Sequence, residues 1–582
     1  AVQHEFRDHP DVSVIVYEQP CATERRRLRK RGKWEDPSKR SFINAAVCEG
    51  CGDCGKVSNC MSIEPLETEF GRKRRINQST CNKDFSCTEG FCPSFVTVHG
   101  GTLRKPARSD EAQRDAAAQP AWSGSLPDPV LPAPDGLFSI LIGGIGGTGV
   151  ITIGQTLAVA AHLEGWYSSN LDVTGLSQKY GAVLSHVRLA RRPELLHATR
   201  ISNGEADTLV GCDLIVASGD EAMVKLRAGH SRAVVCTDLI PTGEFARNPD
   251  WGVDASGLAE RLRARLGDRV LLLEGQRLAT ALMGDAIAAN MFMLGASWQL
   301  GQIPLSLASI DRAIELNGVA IDMNRQAFLW GRRAAHDLAS VERSAVGTGP
   351  AAQVIRFTPR ATQSLDELVR SRSAYLTEYQ NGALAQRYTA LVERVRSATQ
   401  AQGLDDSLAR AVARYWFKLL APKDEWEVAR LYSRPEFRQE LERVFEGDYR
   451  LHFHIGAWPF VRTHPTTGKP VKREVGPWLM NVFSVMAKLR FLRGSLLDPF
   501  RNSAERRLER ALVERYEADV VALLSGLNAH TLPVAVQIAS LPEKIRGFGH
   551  VKEANAAAAA TERESLLTRL RAPADAVRTV AA

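Results

Sequence analysis

The sequence predicts a multidomain α/β protein, and three observations carry that expectation. The chain has 582 residues, room for three or four domains of roughly 150 residues each. A strand-like run, Leu137-Phe138-Ser139-Ile140-Leu141-Ile142, feeds a glycine-rich turn and a helix-like stretch to about Leu163. Seven of the 10 cysteines fall between Cys48 and Cys92, which sets that segment apart as a separate small module. With 44% hydrophobic and 24% charged residues the composition is ordinary, which excludes disorder, collagen and coiled coil. A net charge of +8 over this length is mild and makes no case for nucleic acid. No apolar run approaches the ~18 residues of a membrane helix.

In chain order, the opening Ala1-Val2-Gln3-His4 lacks a Met, and the expectation is that the sequence starts inside a domain. Val12 to Tyr17 reads as a buried strand, with Cys21 just past its end. The basic run Arg25 to Arg31 is a solvated face, or a surface that steers a small acidic carrier.

The cysteines then carry the chemistry. Cys48, Cys51, Cys54 and Cys60 form C-x2-C-x2-C-x5-C, followed by Cys81, Cys87 and Cys92-Pro93. Iron–sulfur clusters need soft thiolates converging on one small volume, and two-residue gaps let successive thiolates wrap one core. Gly50 and Gly52 permit so tight a loop. Bacterial ferredoxins use C-x2-C-x2-C-x3-C-P, whose fourth cysteine serves the other cluster. By that logic Cys48, Cys51, Cys54 and Cys92 hold one [4Fe-4S] cluster. Cys60, Cys81 and Cys87 then belong to a second, without an obvious fourth cysteine. One cluster or two stays open, and the competing reading is zinc, which normally takes two separate C-x2-C pairs.

Residues 104–135 read as a linker broken by six prolines. Gly144-x-Gly146-x-x-Gly149, with Gly147 between, fits a dinucleotide fingerprint, and Asp172 follows the next strand-like run, Tyr167 to Leu171. This turn binds phosphate at the helix N-terminus or only packs helix on strand. Further strands are expected at Ala182 to Leu189 and at Asp213 to Ala217. From about residue 345 the texture is helical, with apolar faces along Ser407 to Leu420 and Ser503 to Leu524, and a helix over Asn555 to Thr561. His452 and His454 in the LHFH run share a strand face. They are read as structural histidines, because no third metal ligand is evident.

Three features in order, Glu18-Gln19-Pro20-Cys21, the CEGCGDCGKVSNC run with its later cysteines, and GGIGGTGVITIGQTLAVAA, resemble the 2-oxoacid:ferredoxin oxidoreductases. Within that family the likeness is to the long, fused bacterial indolepyruvate type. Leu497-Asp498-Pro499-Phe500 and Ile545-Arg546-Gly547-Phe548-Gly549-His550 resemble its C-terminal extension. The resemblance implies five parts. Residues 1–40 are the end of a thiamine diphosphate-binding domain, 41–103 a ferredoxin-type module, and 104–135 the linker. Residues 136–340 are a Rossmann-like gamma-type domain, in which Ser177 to Arg188 and Asn290 to Gly295 match, and 345–582 a mostly helical domain.

It also implies oxidative decarboxylation of a 2-oxoacid with coenzyme A to acyl-CoA and CO2, with electrons passing through iron–sulfur clusters to ferredoxin. Thiamine diphosphate and Mg2+ would be bound by a portion outside this sequence, and Cys21 would complete a cluster near that cofactor. A cytoplasmic homo-oligomer is implied, with no membrane or nucleic-acid partner. Two other functions compete: a flavin- or NAD-linked iron–sulfur reductase using Gly144 to Gly149, and a zinc-containing scaffold that holds nucleic acid through its basic run.

Overall fold

The computed structural model describes residues 2–7, 9–104, 126–147, 149–174, 181–240, 245, 248–346, 363–456, 462–463 and 470–571. Most of the 104–135 linker and the Ser177 to Tyr180 segment lie outside these residues. Val12 to Tyr17, expected as a buried strand, is extended chain in no sheet, with Val12 97% and Val16 86% exposed. Its apolar run has no neighbouring strand to complete a ladder among the described residues, and a single strand has no independent stability.

The cysteine module contributes strands β1 (Lys39–Ile43), β2 (Ile63–Thr68), β3 (Gly71–Ile76) and β4 (Phe95–Leu103). β2 and β3 form a hairpin of their own, and β1 pairs antiparallel with β4.

The glycine-turn domain contributes β5 (Phe138–Ile145), β6 (Tyr167–Thr174), β7 (Ala182–Ala190), β8 (Thr208–Gly211), β9 (Arg232–Cys236) and β10 (Val270–Leu273). They form one sheet in the order β10-β9-β8-β5-β7-β6. β5, β8, β9 and β10 run parallel, while β7 lies antiparallel between β5 and β6. The glycine turn launches helix Val150–Leu163 across this sheet, as the sequence pattern predicts. The strand expected at Asp213 to Ala217 is instead β8 followed by helix Leu214–Ala217. Asp213 caps that helix by accepting the Val216 N–H at 3.0 Å. Ile140, Leu157, Phe292 and Trp298 are buried in the domain core. Helices Ala289–Gln299 and Ile321–His336 cross so closely that a Cβ on Gly295 or Gly331 would overlap the other's backbone.

The C-terminal region is helical from Leu365, where Ser364 and Glu367 form a reciprocal capping box. Helices Ser407–Leu420, Ala504–Ser525 and Gly549–Arg571 cover the expected segments. Its middle holds β11 (Phe445–Ile455), β12 (Arg462–Thr463), β13 (Pro470–Val471) and β14 (Arg473–Val475). β11 pairs with β4, so the order β1-β4-β11-β14 joins residues about 350 positions apart in one antiparallel sheet. One face of that sheet carries Val96, Val98 and Phe453 into a shared core with Tyr432, Phe437 and Phe483.

Candidate metal centre

Asn44, at the end of β1, folds the chain back on itself. Its side-chain oxygen accepts the Ala46 N–H at 3.0 Å, and its carbonyl accepts the Val47 and Cys48 N–H groups. Cys48 and Cys54 are buried, and Cys51 is half-buried. Gly50 sits at φ 69 with its α-carbon against the Arg72 carbonyl, a position that no side chain fits. The distant Cys92 arrives because Asp53 accepts the Phe91 N–H at 2.8 Å and Gly90 packs on the Cys54 backbone.

Cys48, Cys51, Cys54 and Cys92 are thereby brought together. Burial pushes the Cys51 thiol up, and Cys92, Cys54 and Cys48 push it further. Burial likewise raises Cys54 and Cys92, each raised again by Cys48. Cys60, Cys81 and Cys87 form a second set. Burial raises Cys87, followed by Cys60 and Cys81, and burial raises Cys81 with a further push from Cys60. Thiols so placed are neutral without metal and give up protons when a cation draws them together.

Several donors face the sulfurs. The Gly50 N–H donates to Cys48 Sγ at 3.3 Å and the Lys83 N–H to Cys81 Sγ at 3.4 Å. Cys92 Sγ lies 2.9 Å from Ser94 Oγ. Arg74, 2% exposed, lies within electrostatic reach of Cys48, Cys54 and Cys51. Lys472 donates to the Cys92 carbonyl at 3.0 Å. Burial lowers its pKa to about 8 against the opposing pull of Cys92, Cys54 and Cys87. Lys423 bridges the Cys48 carbonyl at 3.0 Å and the Glu49 carboxylate at 2.9 Å. Tyr432 donates to the Pro93 carbonyl at 2.6 Å. Lys423, Lys472 and Tyr432 come from outside the cysteine run and had no signal in the sequence. The Ile545 to His550 segment did carry one, its closely spaced glycines. Gly547 packs beside Cys51, and Gly549 lies against the Phe91 ring, where a Cβ would collide with it.

The basic run also changes meaning. It forms helix Ala22–Lys30, and Arg26 and Arg29 donate to the Thr80 and Asn82 carbonyls, each at 2.6 Å, clamping the turn that carries Cys81. Cys21 is exposed at the start of that helix. In the other domain a Cβ at Gly144 would meet Val150 and Cys212, Gly146 donates to the Gly181 carbonyl, and Gly149 is filled by Asn290. Gly147, at φ 87, faces open space. Asp172 lies in β6, separated from β5 by β7, so it does not occupy the adjacent-strand position that a dinucleotide ribose needs. His454 accounts for one half of the LHFH pair, its Nε2 lying 2.7 Å from Thr97 Oγ1.

Residues 139–334 match the pyruvate ferredoxin/flavodoxin oxidoreductase family. That match covers the glycine-turn domain, about a third of the chain. Residues 365–565 match a family of unknown function (DUF6537). Indolepyruvate oxidoreductase subunit IorB of Pyrococcus horikoshii is 24% identical over 205 residues, 34% of this chain and 97% of that protein. The same subunit of Thermococcus kodakarensis matches at 24% over the same shares. Among solved structures, the keto/oxoacid ferredoxin oxidoreductase gamma subunit of Geobacter sulfurreducens is 21% identical with a TM-score of 0.25, covering 34% of this chain and 98% of that one. The 2-oxoglutarate:ferredoxin oxidoreductase of Magnetococcus marinus is 18% identical with a TM-score of 0.27, covering 35% of this chain and 32% of that one. The similarity to these oxidoreductases thus rests on the glycine-turn domain. Among the described residues no helix is long and apolar enough to cross a membrane.

Proposed function

We propose that this chain is the electron-relay and gamma-type part of an enzyme that oxidatively decarboxylates indolepyruvate or a related aryl 2-oxoacid with coenzyme A. The reaction yields acyl-CoA, CO2, one proton and two electrons, which leave one at a time to ferredoxin. The observation that carries this reading is the convergence of Cys48, Cys51, Cys54 and Cys92 from two loops into one buried volume.

These four residues fit a [4Fe-4S] cluster, and Cys60, Cys81 and Cys87 fit a second with one corner left to a ligand other than cysteine. Tetrahedral zinc holds thiolates about 3.8 Å apart. Among the described residues no three cysteine sulfurs come within 4.8 Å of one another, which supports the larger iron–sulfur core. When bound, the clusters supply one-electron capacity between a two-electron donor and a one-electron carrier. The chain's own residues tune that capacity. Gly50 and Lys83 donate N–H groups to sulfur, and Arg74 and Lys472 offset the negative charge of the thiolates. Buried Tyr432, Phe95 and Phe548 exclude water. Gly144 and Gly149 serve packing, Gly146 donates to the Gly181 carbonyl, and Gly147 is the position of the turn open to a phosphate. Thiamine diphosphate and Mg2+ are assigned to a companion portion beyond this sequence, with Cys21 facing it.

Iron and acid-labile sulfide measurement with electron spin resonance on anaerobically purified chain tests this. The expected result is iron matched by sulfide, with the Cys48–Cys51–Cys54–Cys92 share lost in Cys51→Ala. Colourless protein loaded with zinc would overturn the reading.

A further inference from the structure

A second cluster of ligand-bearing side chains lies outside the cysteine loops. His99 on β4, His452 on β11 and Glu474 on β14 stand on three adjacent strands, and their ligand atoms all lie within 4.8 Å of one another. The register explains the meeting. Thr97 pairs with His452 and His454 with Glu474, so His99, His452 and Glu474 project from one face of the sheet. His99 Nε2 lies 2.9 Å and His452 Nδ1 3.0 Å from the same Glu474 Oε1. The two imidazole rings lie 4.1 Å apart at 35°.

We propose that His99, His452 and Glu474 bind a divalent cation of the zinc class, in a site separate from the cysteines. Zinc holds imidazole nitrogen and carboxylate oxygen at about 2.0–2.2 Å, which places tetrahedral ligands about 3.3 Å from one another. The carboxylate, now 2.9–3.0 Å from both imidazole nitrogens, therefore needs to withdraw by only about 0.3 Å to reach the spacing of zinc ligands. All-nitrogen-and-oxygen ligation suits zinc, cobalt or nickel rather than an iron–sulfur core.

Lys39, paired with His99 across the sheet, holds its ammonium 4.6 Å from the centre of the Phe85 ring, and the Lys472 ammonium is on the Cys92 carbonyl. His454 is engaged by Thr97 and is not a ligand. The side chains of His99, His452 and Glu474 are 33%, 30% and 36% exposed, so an ion enters from solvent and keeps a fourth position for water. An ion here ties β14, paired with β11 over three residues, to β4 of the cysteine module. Its effect is to fasten the C-terminal region onto that module. The site is independent of what the cysteines hold.

The experiment uses the full chain with its iron content measured before and after, and titrates Co2+ and then Zn2+ in competition. The expected result is one cobalt per chain with weak d–d bands and no thiolate-to-metal charge transfer, displaced by zinc, which also raises the unfolding temperature. Glu474→Gln and His452→Asn should weaken binding more than about tenfold while leaving iron content unchanged. An intense thiolate charge-transfer band in the unsubstituted chain would overturn the proposal without any variant being needed. So would binding in the His99→Asn/His452→Asn double variant equal to that of the unsubstituted chain.

Discussion

The glycine-turn domain and the cysteine module reach stability by opposite routes. The first closes on itself. Its six strands and the helices from Val150 to Val346 enclose two core clusters built from that domain's own residues, about 138 to 345. The second has no such core. The module's Val96, Val98 and Phe95 are buried only because β11 and the helices Glu425–Ser433 and Leu479–Lys488 arrive from far along the chain. A short segment with seven cysteines and few apolar side chains cannot bury enough surface alone. It borrows the C-terminal region's aromatic residues, and that region supplies Lys423, Lys472 and Tyr432 to the loops that carry the cysteines. A small cysteine-rich module is therefore not always a detachable insert.

The largest effect should come from separating the two partners. A chain ending at residue 346 lacks β11 and uncovers the β4 edge. It should lose iron and become prone to aggregate, while circular dichroism still reports the folded glycine-turn sheet. Retention of the full iron content would break the comparison.

Matched core truncations come next. Phe453→Ala and Phe292→Ala each remove a fully buried ring and should each cost about 3–5 kcal/mol. Denaturant melts with iron assay should show iron lost in the first and kept in the second.

The third test uses acid. His186 is fully buried in the glycine-turn domain, with its Nδ1 accepting the Ile201 N–H at 3.2 Å. Burial, with Arg200 and Lys225, lowers its pKa to about 4. The unfolded chain takes up this proton near pH 6.5 but the folded chain only near 4, so its contribution is intact above 6.5 and is lost as pH falls toward 4. Asp213 and Asp238, raised to about 6 mainly by burial, act in the opposite sense over nearly the same window. The measurement is therefore the difference between the unsubstituted chain and His186→Gln. That difference should shift against the unsubstituted chain by up to about 3 kcal/mol between pH 7 and pH 4. A flat difference would remove His186 from the acid response.

The smallest effect belongs to the turn. Gly147→Ala places a side chain in open space at positive φ and should cost about 1 kcal/mol. Gly149→Ala also collides with Asn290 and should cost more. Thermal melts of the pair would reveal whether packing or backbone conformation dominates there.

Much of the local structure was legible in the sequence because it rests on short-range rules. The run from Leu137, the glycines after it and the apolar spacing to Leu163 define a strand, a turn and a helix without distant information. The spacing of Cys48, Cys51 and Cys54 likewise defines one loop. The errors came where local pattern met tertiary context. Val12 to Tyr17 has strand composition but no described neighbour to pair with, and at Asp213 the capping carboxylate turned an apolar run into helix.

The sequence by itself determined the order of elements, the cysteine grouping it proposed and the glycine turn, because periodicity, turn chemistry and ligand spacing act within a few residues. Only the tertiary structure decided that β11 would complete the cysteine module's sheet. It also brought Lys472 to the thiols, and His99 to His452 and Glu474. Those contacts join residues hundreds of positions apart, and no local preference encodes which distant strand will supply the missing ladder and the missing apolar face.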